Sequence, residues 1–97
     1  MTEETVDEQL TDLIRRDFQS AGDALAAVLA ATAAIRMAWQ RLDTAGTEGR
    51  AQVRKWLEEL WRGVSKIATD YKAERFSIAV GSDGDINVRF DWLPGNP

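Results

Sequence analysis

Carboxylates are almost the whole chemical repertoire of this 97-residue chain. It has no Cys and no His. Thiol nucleophiles, imidazole bases, disulfides and the usual zinc and iron ligand sets are therefore excluded. Ser-His-Asp and Cys-His arrangements go with them. A catalytic carboxylate pair needs two environments that separate the pKa values of its members. Glu58 and Glu59 instead lie on a charged face with Lys55, Arg62 and Lys66, and Asp7, Glu8 and Asp12 sit in a solvent-rich opening turn. No catalytic residue is assigned. Asp83, Asp85 and Asn87 resemble the start of a calcium loop. Counted from Asp83, however, the sixth residue is Val88 and the twelfth is Pro94, where such a loop needs Gly and a bidentate Glu. No phosphate loop or dinucleotide fingerprint is present, so no metal and no cofactor is expected.

Charge narrows the partners. Twelve basic and sixteen acidic residues give a net charge of −4. Arg15, Arg16, Arg36, Arg41, Arg50 and Arg54 are spread along acidic helices and form no basic stripe, which argues against nucleic acid. The longest uncharged run, Ala24 to Ile35, is shorter than the ~20 residues that span a bilayer. Met1 to Gln9 is acidic where a secretory signal is basic. The expectation is a soluble, cytoplasmic protein with no membrane partner, and the absence of Cys fits a reducing compartment. Nine Arg against three Lys, with fourteen Ala, suggests a GC-rich bacterial source. At 44% hydrophobic and 29% charged, the chain is one globular domain with a modest core.

The elements follow from periodicity. From Ile14 the apolar positions alternate four and three apart: Phe18, Ala21, Leu25, Val28, Thr32, Ile35, Trp39, Leu42. This seam predicts one helix over about 5–45. It passes through Gly22 without a phase shift; the alternative is a break at Ser20, with Ser20 and Asp23 forming a capping box. Gly46 supplies a left-handed helix stop, and Thr47 caps the next helix. That second helix covers about 48–73, with the seam Val53, Leu57, Leu60, Val64, Ile67, Tyr71. Two seamed helices with a short connection are antiparallel neighbours.

The period then becomes two, giving a β-hairpin over about 75–92. A two-residue turn would mix its faces. The three-residue loop Ser82-Asp83-Gly84 pairs Val80 with Ile86, Ile78 with Val88 and Phe76 with Phe90, and puts Gly84 where a left-handed residue is needed. Residues 93–97 read as a frayed tail. The fold class is α+β, mostly α: a long helical hairpin, then a β-hairpin.

This shape leaves three apolar surpluses. A first helix of about 40 residues is roughly 60 Å long, against roughly 37 Å for the second. Val6, Leu10, Leu13, Ile14 and Phe18 therefore project past it and need a partner, which the apolar face of the hairpin could supply by folding back. The seam of the first helix is also ringed by alanines, either because Ala is the best helix former or because helices approach on more than one side. The second reading predicts a homodimer forming a four-helix bundle, with contacts at Leu10, Ala27, Ala30, Ala31 and Ala34. Finally, Trp56 and Trp61 flank the seam of the second helix. They either widen the core stripe or present a binding surface, since Trp is enriched at interface hot spots.

Trp61-Arg62-Gly63 spells the tripeptide of small secreted WXG-type proteins. There it lies in the turn between helices; here it falls inside the second helix, and that resemblance is set aside. The stretch from Leu57-Glu58-Glu59-Leu60 through Phe76-Ser77-Ile78 to Asp83-Gly84-Asp85-Ile86-Asn87-Val88-Arg89-Phe90-Asp91-Trp92 resembles the C-terminus of YezG-like bacterial immunity proteins, over about two-fifths of the chain. The N-terminal sheet of that family is replaced by the Ala-rich helix. The resemblance implies an acidic protein that binds and blocks a toxin. The expected function is a non-enzymatic protein-binding module, immunity-like or an operon accessory, with Trp56, Trp61, Arg62, Arg89 and Asp91 contacting a partner protein. The alternative is a structural assembly element whose hairpin edges add strands to a neighbour.

Overall fold

Three helices, rather than two, precede the hairpin in a computed structural model of the chain. They are α1 (Glu3–Arg15), α2 (Ala21–Leu42) and α3 (Gly46–Asp70), followed by β1 (Arg75–Val80) and β2 (Ile86–Asp91). The structure describes residues 3–42, 46–81 and 85–92. The expected hairpin loop Ser82-Asp83-Gly84, the turn residues Thr44 and Ala45, and the expected frayed tail lie outside the described residues.

The single helix over 5–45 is overturned. The chain leaves helical geometry after Arg15 and re-enters it at Ala21. Ser20 caps the new start: its Oγ accepts the Asp23 N–H at 3.2 Å, and its carbonyl accepts the Ala24 N–H at 3.1 Å. Lys66 of α3 and Tyr71, just past its end, fasten the connector from outside. Lys66 Nζ donates to the Arg16 carbonyl at 3.0 Å, and Tyr71 Oη donates to the Phe18 carbonyl at 2.9 Å. The break lets α1 fold back along the other two helices, so that Val6, Leu10 and Leu13 are buried. Burying each contributes roughly 1.5–3 kcal/mol, more than the loss of one helical turn. A rod too long for its companion is thus shortened by folding back.

Paired residues show how α1 lies. Asp7 meets Trp56, Leu13 meets Gly63, Arg16 meets Lys66 and Phe18 meets Tyr71. The α3 number rises with the α1 number, so α1 runs parallel to α3 and antiparallel to α2. It fills one groove of the α2–α3 pair; the hairpin lies across the other, β1 on α3 and β2 on α2.

The inward face of α2 is rotated from the expected seam. Its buried stripe is Ala24, Val28, Ala31, Ile35 and Ala38, with Thr32 and Ala34 beside it. Leu25 and Trp39 are only half-buried. With α1 on one side and α3 on the other, the centre of α2 takes small side chains, because interaxial distance is set by side-chain size at the contact. In α3 the expected positions Val53, Leu60, Val64 and Ile67 are buried, while Leu57 and Tyr71 are half-buried.

Gly46 has the expected left-handed φ, 67°, but it is the first residue of α3, so Thr47 lies inside the helix rather than capping it. The other end of α3 stops at Lys72, with φ 57°. Ala73 N–H reaches the Ala68 carbonyl at 2.8 Å and Lys72 N–H the Thr69 carbonyl at 3.3 Å, the paired bonds of a Schellman cap. Its left-handed position normally holds Gly, and an L side chain there costs about 1 kcal/mol. Lys72→Gly is therefore expected to stabilise the fold by about 0.5–1 kcal/mol and raise Tm by a few degrees. Thermal unfolding followed by circular dichroism checks it; an unchanged or lower Tm contradicts the cap.

The hairpin has the expected register: Phe76↔Phe90, Ile78↔Val88 and Val80↔Ile86. Ile86 is buried, and Phe76, Ile78, Val88 and Phe90 are packed against the core. Trp92 Nε1 donates to the Tyr71 carbonyl at 3.0 Å, tying the last strand to the end of α3.

Candidate interaction surface

Trp61 and Trp56 stand on different sides of α3, and the placement of α1 separates them. Trp56 is 0% exposed and its Nε1 donates to Asp7 Oδ1 at 3.0 Å. It belongs to the α1–α3 contact, which removes it from the expected binding residues. Trp61 is 54% exposed. Its ring centroid is 4.8 Å from that of Phe76, at an interplanar angle of 53°. Such a contact is worth about 0.5–1.5 kcal/mol beyond area burial. It orients the indole while leaving half of it to solvent. Phe76, Phe90 and Trp92 continue the aromatic row with centroid distances of 6.4 and 5.7 Å.

Polar groups flank Trp61 on α3, and a separate polar group lies on the face of the hairpin opposite Phe76 and Phe90. Arg62 is exposed and pairs loosely with Glu59 at 4.0 Å. A shallow open depression beside Trp61 is lined by Arg62, Ser65, Lys66, Thr69 and Asp70. On the outer face of the hairpin, Asp91 sits between Arg75 Nε at 3.3 Å and Arg89 Nε at 3.0 Å. Both guanidinium groups remain largely exposed, and exposed pairs of this kind contribute little to stability. Of the expected contact residues, Trp61, Arg62 and Arg89 are exposed and Asp91 is half-buried.

The expected dimer contacts fare differently. Leu10, Ala31 and Ala34 are buried inside the single chain, by the docking of α1 and α3 around α2. They are not available to a second copy. Ala27 is half-buried and Ala30 exposed. The exposed apolar residues of α2 are instead Ala26, Leu29, Ala30, Ala33 and Met37, with Leu29 69% and Met37 50% exposed. Leu29 and Met37 carry the readable signal, spaced four apart through Ala33, once Ala24, Ala31 and Ala38 are known to face inward.

By length and composition, α2 over Ala21–Arg41 also meets the requirement for crossing a membrane, with a third of it buried in the fold. It extends past the uncharged run Ala24 to Ile35 in both directions, which is why that run understates it. The core helix of a soluble protein meets the same requirement.

Among the described residues, no three carboxylates converge as a metal site would need; Asp83 lies outside them. Glu8, Asp12 and Glu58 are exposed, and Asp12 pairs with Arg16 at 3.4 Å. The chain matches no known protein-family description, no curated protein and no solved structure.

Proposed function

We propose that the chain is a non-enzymatic protein-interaction module, in the manner of an acidic immunity protein or an operon accessory. In this reading a partner protein docks on Trp61 and Arg62, with Arg89 and Asp91 of the hairpin at the rim. The observation that carries it is Trp61, held half-exposed by its tilted ring contact with Phe76. A pre-oriented aromatic side chain loses little entropy on binding. The net charge of −4 favours a basic partner through long-range steering. The C-terminal likeness to YezG-like immunity proteins is in keeping with a toxin as that partner.

The test is capture from the native host with wild-type and Trp61→Ala bait. Loss of a hot-spot Trp costs 2 kcal/mol or more, about 30-fold in affinity. The expected result is one partner whose recovery collapses with Trp61→Ala, while Tm moves by no more than a few degrees. Equal recovery with both baits removes Trp61 from the function.

A second reading, a self-assembling structural element, draws on a separate feature. The sheet stops at two strands among the described residues, and α2 keeps an apolar face that the hairpin and the helices leave uncovered.

A further inference from the structure

We propose that α2 pairs with α2 of a second copy of this chain, antiparallel and across a two-fold axis near Thr32. The proposal rests on the self-assembly reading and gives it an interface.

The exposed positions of α2 form one continuous stripe. At 100° per residue, Ala26, Leu29, Ala30, Ala33 and Met37 fall within about 100° of arc, all on one side. No charged side chain occurs between Asp23 and Arg36. Thr32, at the edge of the stripe, already gives its hydroxyl to the Leu29 carbonyl at 2.9 Å. Arg36, which pairs with Asp85 at 3.8 Å, and Gln40 flank the stripe only at its C-terminal end; between Asp23 and Arg36 it offers a polar peptide or a nucleic acid no free polar side chain. An apolar surface of small residues suits a second helix, with Ala30 and Ala33 allowing close approach.

The ends of the stripe select the occupant. Asp23 and Arg41 are both exposed and eighteen residues apart, which is five full turns at 3.6 residues per turn. They therefore lie at the same angle around α2, one near each end of the stripe. A two-fold axis at Thr32, perpendicular to the helix, brings Asp23 of each copy beside Arg41 of the other. The pairing occurs twice, on the same side of the interface. A parallel pairing sets Asp23 level with Asp23 and Arg41 level with Arg41, and forms neither pair. The antiparallel arrangement also opposes the helix dipoles. The face is thus self-complementary under one rotation, as an isologous dimer interface must be. Such rim pairs set register and direction more than affinity.

Sedimentation equilibrium and light scattering on the purified full chain provide the test. The expected species is a dimer, of twice the 10.8 kDa chain mass. Ala33→Glu is expected to weaken it by more than about 100-fold, because each copy would bury an unpaired carboxylate. Ala33 is exposed in the single chain and Glu is a good helix former, so the far-ultraviolet circular dichroism should not change. Asp23→Arg and Arg41→Asp are each expected to weaken the dimer, and the double exchange to restore it. A wild-type monomer at high micromolar concentration overturns the proposal, and so does a dimer that survives Ala33→Glu. Single exchanges without effect, or a double exchange that does not restore pairing, overturn the antiparallel arrangement. A monomer that binds phosphatidylglycerol vesicles through the same stripe also overturns it, assigning the face to a membrane. A monomer that still captures a partner through Trp61 ends the self-pairing and leaves the interaction module standing; a dimer without that capture does the reverse.

Discussion

Trp56→Ala is expected to remove about 3–5 kcal/mol of unfolding free energy, against the ~5–15 kcal/mol that holds a small domain together. Two losses combine. Trp56 is the largest fully buried side chain, and its truncation leaves a cavity between α1 and α3 that close-packed neighbours fill only in part. The hydrogen bond from Nε1 to Asp7 is lost as well. Trp56→Phe separates the two, because it keeps most of the apolar volume and breaks only the polar tie. Bonds to charged groups are worth about 1.5–3 kcal/mol. Asp7 is exposed and regains water when the indole leaves, so the Phe variant should sit at the lower end. Urea unfolding by circular dichroism reads both. An Ala variant within about 1 kcal/mol of wild type would place Trp56 outside the core and detach α1 from α3.

That result would also bear on what the sequence can reveal. Trp56 and Trp61 look alike in sequence, since both flank the α3 seam. Their difference is created by α1, which packs on Trp56 from almost fifty residues away. Periodicity could not place α1, because the heptad phase of Phe18, Ala21 and Leu25 continues unbroken across the connector. The deciding facts were Ser20 as a cap, which is legible locally, and the tertiary anchors Lys66 and Tyr71, which are not. Once the rod is taken as continuous, Val6, Leu10 and Leu13 look unpaired and invite cover from the hairpin or, at Leu10, from a second chain. In the folded molecule they face α2 and α3.

The α2 face was misplaced for a related reason. Choosing large residues as the seam selects Leu25, Thr32 and Trp39, whereas a helix squeezed between two neighbours turns Ala24, Ala31 and Ala38 inward. The hairpin was legible in full over its described residues because its information is local. Alternation, like-with-like pairing and a loop length that satisfies both admit one register, and Phe76↔Phe90 through Val80↔Ile86 realise it. Trp61 was legible as a candidate. Its exposure was not, since it depends on Phe76 covering one side only.

Gly63 is where the orientation of α3 is set, and substitution there should unseat α1. A Cβ at Gly63 would lie 2.6 Å from Leu13 Cδ2 and 2.7 Å from Leu13 Cγ. Leu13 is fully buried, so it has no solvent to move into. Overpacking of this kind costs about 1–3 kcal/mol. Gly63→Ala recovers up to about 1 kcal/mol of helix propensity and should destabilise only modestly. Gly63→Val adds bulk, recovers less and should cost about 2–3 kcal/mol. The diagnostic is a double-mutant cycle. Leu13→Ala alone is expected to cost about 2–5 kcal/mol by leaving a cavity. Combined with Gly63→Ala, the new methyl group enters that cavity, giving a favourable coupling of about 1 kcal/mol or more. Strict additivity in urea unfolding would mean that α1 does not pack on this turn. The turn also connects to binding. Trp61 precedes Gly63 by two residues, about 200° around the helix, so the close approach of Leu13 on one side helps to direct the indole outward on the other. Gly63→Val should therefore reduce partner capture in proportion to the fraction unfolded, whereas Trp61→Ala should abolish it in a fully folded protein.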